Sequence, residues 1–278
     1  MVVVPLSLPR AAPKVVGIAG RQAKLPVSAA IITFNEARRI GDCLAALSGL
    51  VDQIVVLDSN SQDRTREIAL SYGAEVHVAD WAGYGPQKRR AEELCKHDWV
   101  LSLDADERLS PTLATEIRRA FTTGSPDADA YRLRIVDQLP HEKEPASWAF
   151  AYQRIRFYNW RKGRFLDSLV HDDVVMEEGA QVRDFEGPVA HVSLETLSAA
   201  TDKFNRYTDL QAEDLRLRGR RIPRWRILTE FPVAFLKSYF LRRRFLYGLW
   251  GVIHSVTYAH MRFMRVAKAY EARFRSED

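Results

Sequence analysis

The chain has 278 residues, 46% of them hydrophobic and 28% charged, the composition of a globular protein long enough to bury a full core. Only two cysteines occur, Cys43 and Cys95, in separate helical patterns, which excludes a disulfide framework and fits a reducing cytosol. The net charge of +5 is unevenly spread: residues 216 to 278 hold 15 Lys or Arg against 4 Asp or Glu, a balance of +11 that leaves −6 for the remainder. An anionic partner is therefore expected at the C-terminal quarter.

Residues 1–26 carry four prolines and no apolar period, and read as a loose arm. The apolar run Val2 to Val4 is too short for a signal peptide. Val27 to Thr33 has the length and β-branched content of a buried strand, and ends in Thr33-Phe34-Asn35-Glu36. A helix is predicted over Arg38 to Leu50. A second strand, Gln53 to Leu57, ends in Asp58-Ser59-Asn60-Ser61, turn formers that open a helix stopping at Gly73. Ala74 to Val78 is a third strand, Trp81 to Pro86 a loop, and Gln87 to Lys96 a helix.

Trp99 to Leu103 is a fourth strand, running into Asp104-Ala105-Asp106-Glu107. Along extended chain, residues i and i+2 share a side, and two carboxylates so close need a shared cation or proton. Mg2+ or Mn2+, which takes oxygen ligands and completes its shell with phosphates, would meet that need. An acidic turn capping the next helix is the plainer alternative. Ser110-Pro111 opens that helix, and Ala130 to Val136 is again a strand. Asp137 to Trp160 is irregular and aromatic, suited either to lining a sugar site or to ordinary packing. A short β pattern ends at His191. From about Leu194 the chain is helical: an amphipathic helix over Thr196 to Leu217, a basic linker, and an apolar stretch from Ile227 broken by arginine clusters.

Alternating strands and helices with short links imply an α/β architecture with a largely parallel sheet, whose ligands sit beyond the carboxyl ends of the strands. Thr33, Asn35, Asp58, Asp80, Asp104 and Asp106 lie at such ends. A dinucleotide-binding Rossmann unit is excluded, because no glycine separates the first strand from Gly41.

In order, Ile31-Ile32-Thr33-Phe34-Asn35-Glu36, Val55-Val56-Leu57-Asp58-Ser59, Trp81 to Gly85 with Gln87-Lys88, and Leu101-Ser102-Leu103-Asp104-Ala105-Asp106-Glu107 resemble the family 2 glycosyltransferases of GT-A fold. Gly163-Arg164-Phe165, Leu169-Val170-His171, Asn205-Arg206-Tyr207 and the closing apolar helices carry the same resemblance further, which within that family is to the β-glycosyltransferases of lipopolysaccharide core synthesis. It covers roughly residues 27 to 270. It implies a GT-A domain over 27–193, a helical membrane-associating region over 194–278, and an inverting transfer of a hexose from a nucleotide sugar, with UDP as the expected nucleotide. Thr33, Asn35, Glu36 and Asp58 would surround the nucleoside, with Gln87 and Lys88 beside them. Asp104 and Asp106 would hold the diphosphate through Mg2+ or Mn2+.

The base that deprotonates the acceptor hydroxyl is where the chain departs from its relatives: Ala151 precedes Tyr152-Gln153 where they carry an acid, and His171-Asp172 replaces their His-Glu. Asp172 is the first candidate and Asp167 the second, with His171 either a core histidine or a diphosphate donor. A nucleotidyltransferase, or a saccharide-binding protein without activity, is the alternative on the same fold.

Phe245 to Met261 lacks formal charge but is only 17 residues long, short of the ~20 apolar residues a spanning helix needs. Flanked by Arg242, Arg243 and Arg244 and by Arg262, Arg265 and Lys268, these helices are expected to lie on the cytoplasmic face of the inner membrane beside an anionic, lipid-linked saccharide acceptor. Nucleic acid is not an expected partner. A helical subdomain or dimer interface is the alternative.

Overall fold

The computed structural model describes residues 23–169, 172–192, 196–219 and 222–275. Of the sequence expectations, most of the N-terminal arm and His171 lie outside the described residues. Four strands carry the parallel half of the sheet: β1 (Leu25–Thr33), β2 (Val51–Asp58), β3 (Glu75–Val78) and β4 (Trp99–Asp104). Every residue of β1 from Val27 to Thr33 is buried, which is why that run is apolar throughout and does not alternate. Its two faces meet different helices. Val27, Ala29 and Ile31 share a cluster with Ile40, Cys43, Leu44 and Leu47 of α1 (Ile40–Leu47), whereas Ala30 and Ile32 share one with Ala91 of α3 (Tyr84–Glu93). Between β2 and β3 runs α2 (Thr65–Ser71).

The sheet has eight strands, with four of their seven pairings parallel and three antiparallel. Beyond β4 come β7 (Ala151–Asn159), antiparallel to it, then β6 (Ala130–Asp137), β10 (Val182–His191) and β5 (Glu107–Leu109), with β6 and β10 parallel and β10 and β5 antiparallel. The stretch from Asp137 to Trp160, expected to be irregular, thus contains a nine-residue strand. Phe157 and Tyr158 are buried in it, Phe157 stacked on Trp99. A ribbon of β8 (Gly163–Phe165) and β9 (Val174–Met176) lies outside the sheet, and α4 (Pro111–Ala120) begins at the expected cap, with the Ser110 hydroxyl accepting from the Leu113 amide.

Helix α3 begins at Tyr84, three residues before its expected start, because Pro86 stands in its first turn, where a missing N–H costs nothing. Gly85 is required there: a Cβ at that position would lie 2.1 Å from the Leu166 carbonyl oxygen. Its amide donates instead to Ser168 O, and that of Tyr84 to Leu169 O, pinning the helix start to the 166–169 segment.

The C-terminal quarter is helical, as expected. Helix α5 (Leu197–Leu217) is followed by α6 (Arg226–Leu236), a π turn over Lys237–Leu241, a 3-10 turn over Arg244–Tyr247, and α7 (Gly248–Arg275). Glu230 of α6 takes Arg226, Arg262 and Arg265, and Lys268 of α7 takes Asp209 of α5, so three of the basic residues expected to face a membrane hold helices together. No helix among the described residues is long and apolar enough to cross a membrane.

Candidate active site

The carboxyl ends of β1, β2 and β4 lie side by side, with Thr33 in register with Asp58 and Ile32 with Asp104. At the β1–β2 end the loops are laced together. Both oxygens of Asp58, fully buried, accept from Ser61, from its amide at 2.9 Å and its hydroxyl at 2.5 Å. Asn35, held at φ +55°, accepts from the Gln62 amide, and its own amide donates to the Ser61 hydroxyl. The Glu36 amide donates to Thr65, while its carboxylate takes a two-point contact from Arg39. Burial and the nearby Asp106 push the Glu36 carboxyl up to about 7 against the opposing pull of Arg39.

Beside this lacework, Gln87 donates to the Ser59 hydroxyl at 3.1 Å. Two buried polar atoms there, the Thr33 hydroxyl and Gln87 Oε1, find no hydrogen-bond partner among the described residues. Buried polar groups are almost always paired, and these two, at the end of β1 and in the first turn of α3, are exceptions.

At the β4 end the extended-chain geometry expected for Asp104 and Asp106 does not hold. The strand stops at Asp104, Ala105 and Asp106 form a turn, and the chain re-enters the sheet as β5. The two carboxylates consequently meet different neighbours. Asp104, about a third exposed, accepts from Lys88 at 2.8 Å, and the same buried ammonium donates to Asp172 at 2.7 Å. Asp106, almost fully buried, is surrounded by Lys203 of α5 at 3.4 Å, His191 of β10 at 3.5 Å and Arg39 at 3.6 Å. Desolvation would raise its pKa, but Lys203 and His191 outweigh burial and hold it well below the usual carboxylate range. His191 is buried, which alone would lower its pKa, yet Asp106 pushes it up to about 9. Glu107, buried beneath and accepting from the Asp104 amide, is pushed up to about 7 by desolvation and the Asp104 charge.

The two candidate bases are differently placed. Asp172 accepts from Lys88 and from Arg156 at 2.5 Å, and these cations overcome desolvation to keep it far below the carboxylate range. Asp167 is exposed, in the segment after β8. Lys203, His191, Arg39 and Arg156 are the site residues that sequence reading passed over. His191 carried a usable signal, a polar residue ending a strand. Lys203 did not, lying 97 residues from Asp106.

Among the described residues no three His, Cys, Asp or Glu side chains form a ready-made metal cage. What is present is an ionised buried carboxylate and a partly exposed one, two residues apart. That donor set fits Mg2+ or Mn2+, ions bound through one or two carboxylates and completed by substrate phosphates and water. The contacts to Asp106, at 3.4–3.6 Å, are longer than tight charge-assisted hydrogen bonds and so exchangeable.

Residues 28–176 match the family described as Glycosyl transferase family 2. An uncharacterized glycosyltransferase of Rickettsia felis is 35% identical over 263 residues, 91% of this chain and 92% of that protein. The lipopolysaccharide core biosynthesis glycosyltransferase LpsC of Rhizobium meliloti is 30% identical over 254 residues, 89% of this chain and 93% of its own. Among solved structures, S. aureus TarS 1-349 in complex with UDP-GlcNAc aligns over 91% of this chain and 92% of its own, at 12% identity and a TM-score of 0.41.

Proposed function

The chain belongs to glycosyl transferase family 2, and from that premise we propose that it moves a hexose from a UDP sugar, with inversion, to a lipid-linked saccharide of the lipopolysaccharide core type. What carries this reading is the arrangement at the strand ends: open polar atoms on Thr33 and Gln87 beside Asp58, and next to them Asp104 and Asp106 among Lys88, Lys203, Arg39 and His191. The first pair suits a nucleobase or ribose, the second a diphosphate. Similarity to LpsC supports the acceptor class.

In this mechanism the Thr33 hydroxyl and Gln87 amide orient the nucleoside within the loops that Asp58, Asn35 and Glu36 hold in shape. Asp104 and Asp106 would hold a divalent ion, which when bound neutralises charge on the leaving diphosphate. Lys88 and Lys203 add fixed positive charge at the same place, already oriented by their carboxylate partners. Asp172 takes the acceptor proton once Lys88 turns from it towards the diphosphate, and Asp167 is the alternative base. Because α5 supplies Lys203, the helical quarter completes the site. We place the enzyme on the cytoplasmic face of the inner membrane, where a lipid-linked acceptor is presented.

Calorimetric titration tests the donor. UDP should bind more tightly than GDP or CDP, and Mg2+ or Mn2+ should tighten it. Asp106→Ala should abolish the metal effect in a protein that still melts cooperatively. Preference for GDP or CDP, or full turnover in excess chelator, would reject the reading.

A further inference from the structure

A shallow, open hollow lies where the end of β6 and the start of β7 meet the junction before α7; its walls include Asp137, Gln138, Phe150, Arg242, Arg244 and Trp250. It is one strand from the candidate active site. Asp137 is in register with His191, whose ring touches Asp106, and the Gln138 amide donates to the His191 carbonyl.

The charge inside is unbalanced. Arg244 reaches Asp137 at 3.0 Å and donates to Nδ1 of His254 at 2.8 Å, so the one carboxylate of the hollow is taken and the histidine serves as a neutral acceptor. Arg242 has no carboxylate partner among the described residues; its guanidinium lies between the rings of Phe150 and Tyr258, 4.3 and 4.5 Å from their centroids. Stacking holds the plane; one terminal nitrogen donates to the Tyr258 hydroxyl at 3.4 Å, and the rest of the N–H edge is left for a ligand. Two buried polar atoms also stand open here, Gln138 Oε1 and Arg244 Nε. The remaining wall is aromatic, with Trp250 and Tyr247, and Trp250 is 44% exposed.

We propose that this hollow is an acceptor subsite for a sugar ring bearing a carboxylate or a phosphate, an inference that rests on the saccharide-acceptor reading above. The acid group meets the Arg242 edge in the fork geometry that guanidinium offers to either anion. Ring hydroxyls pair with Gln138 Oε1 and Arg244 Nε, and the apolar face of the ring lies on Trp250. Phe245, Leu246 and Leu249, exposed alongside, put the subsite at the edge of an apolar surface, where a sugar close to its lipid anchor would arrive.

Ligand-observed saturation-transfer NMR on the full chain, with glucuronate, glucose 6-phosphate, glucose and glycerol 1-phosphate as probes, tests it. At least one sugar acid should bind about tenfold or more tighter than glucose, and which one does separates a carboxylate sugar from a phosphorylated one. Arg242→Gln should remove the preference while UDP titrates as in the parent protein. Since Arg242 also packs, Trp250→Ala, at an exposed ring, serves as a second variant and should weaken both sugar acids. Equal binding of glucose, a preference that survives both variants, or glycerol 1-phosphate binding as well as the sugar acids would overturn the subsite, the last in favour of a lipid headgroup. Failure of UDP alone would count against the donor reading and leave the subsite standing.

Discussion

Asp172 holds two cations, and a carboxylate so held is a weak base until one of them leaves. The role of base proposed for it therefore depends on Lys88 exchanging partners as the diphosphate arrives. If it does, Asp172→Asn should lower kcat by about 100-fold or more with little change in UDP affinity, and Asp167→Asn should cost far less. The reverse ranking would transfer the role to Asp167. Residues of this kind were legible where the chain puts them at strand ends: Asp58, Asp104 and Asp106 announce themselves after apolar runs. Their partners were not. Lys203 and Arg156 sit in the middle of a helix and a strand among several other basic residues, and only tertiary packing singles them out. Even for Asp104 and Asp106 the spacing misled, since the i, i+2 rule requires extended chain and the turn at Ala105–Asp106 ends it.

The parallel half of the sheet was readable to within a few residues because burial on both faces makes its strands uniformly apolar. Strand β7 was hidden because its first half is polar and only Arg156, Phe157 and Tyr158 are fully buried, so neither alternation nor an apolar run marks it. The start of α3 was hidden by Gly83, Gly85 and Pro86, which in isolation read as a loop. That start sets the position of Gln87 and Lys88, one turn on. Gly85→Ala should therefore push α3 from the 166–169 segment, at a cost of about 1–3 kcal/mol, seen as a Tm lowered by roughly 2–4 °C per kcal/mol, and should weaken UDP binding. Unchanged melting and affinity would show that the segment yields freely.

A second element-scale prediction concerns α7. His254 is buried against Arg244 and near His141, and desolvation together with these charges depresses its pKa from the ordinary 6.5 to about 4. Between those values the unfolded chain takes up a proton that the folded chain refuses, so stability is full above pH 6.5 and falls as the pH drops towards 4, by at most about 3 kcal/mol. His254→Asn keeps an acceptor for Arg244 without a titrating ring. It should lose less stability than the parent between pH 7 and 5 in denaturant titrations; equal losses would contradict the assignment.

At the scale of the whole molecule, the charge asymmetry was plain in the sequence, but its use was not. Arg262, Arg265 and Lys268 hold helices together, Arg244 pairs with Asp137, and Arg242 is stacked between rings. Of the expected membrane-facing cluster only Arg243 is exposed, joined by Arg224 and Lys237. The apolar surface is the stronger feature. Among the described residues, twelve of the 22 exposed large hydrophobic side chains lie between Trp225 and Val256, with Leu228, Leu241 and Leu249 each more than 70% exposed. Exposed apolar side chains in that number are a mark of interaction sites, and with basic residues among them we propose an anionic bilayer as the partner. Sedimentation with vesicles should show binding that rises with anionic lipid and falls with salt, leaving a salt-resistant remainder from buried apolar area. Arg224→Gln with Arg243→Gln should weaken binding by about 2 kcal/mol, near thirtyfold, at low salt. Leu241→Glu with Leu249→Glu, both at exposed positions, should remove the salt-resistant part while UDP still binds. If the parent protein stays in the supernatant with every vesicle, the apolar surface pairs instead with a second copy of the chain, and its sedimentation coefficient should then report a dimer that the leucine variants dissolve.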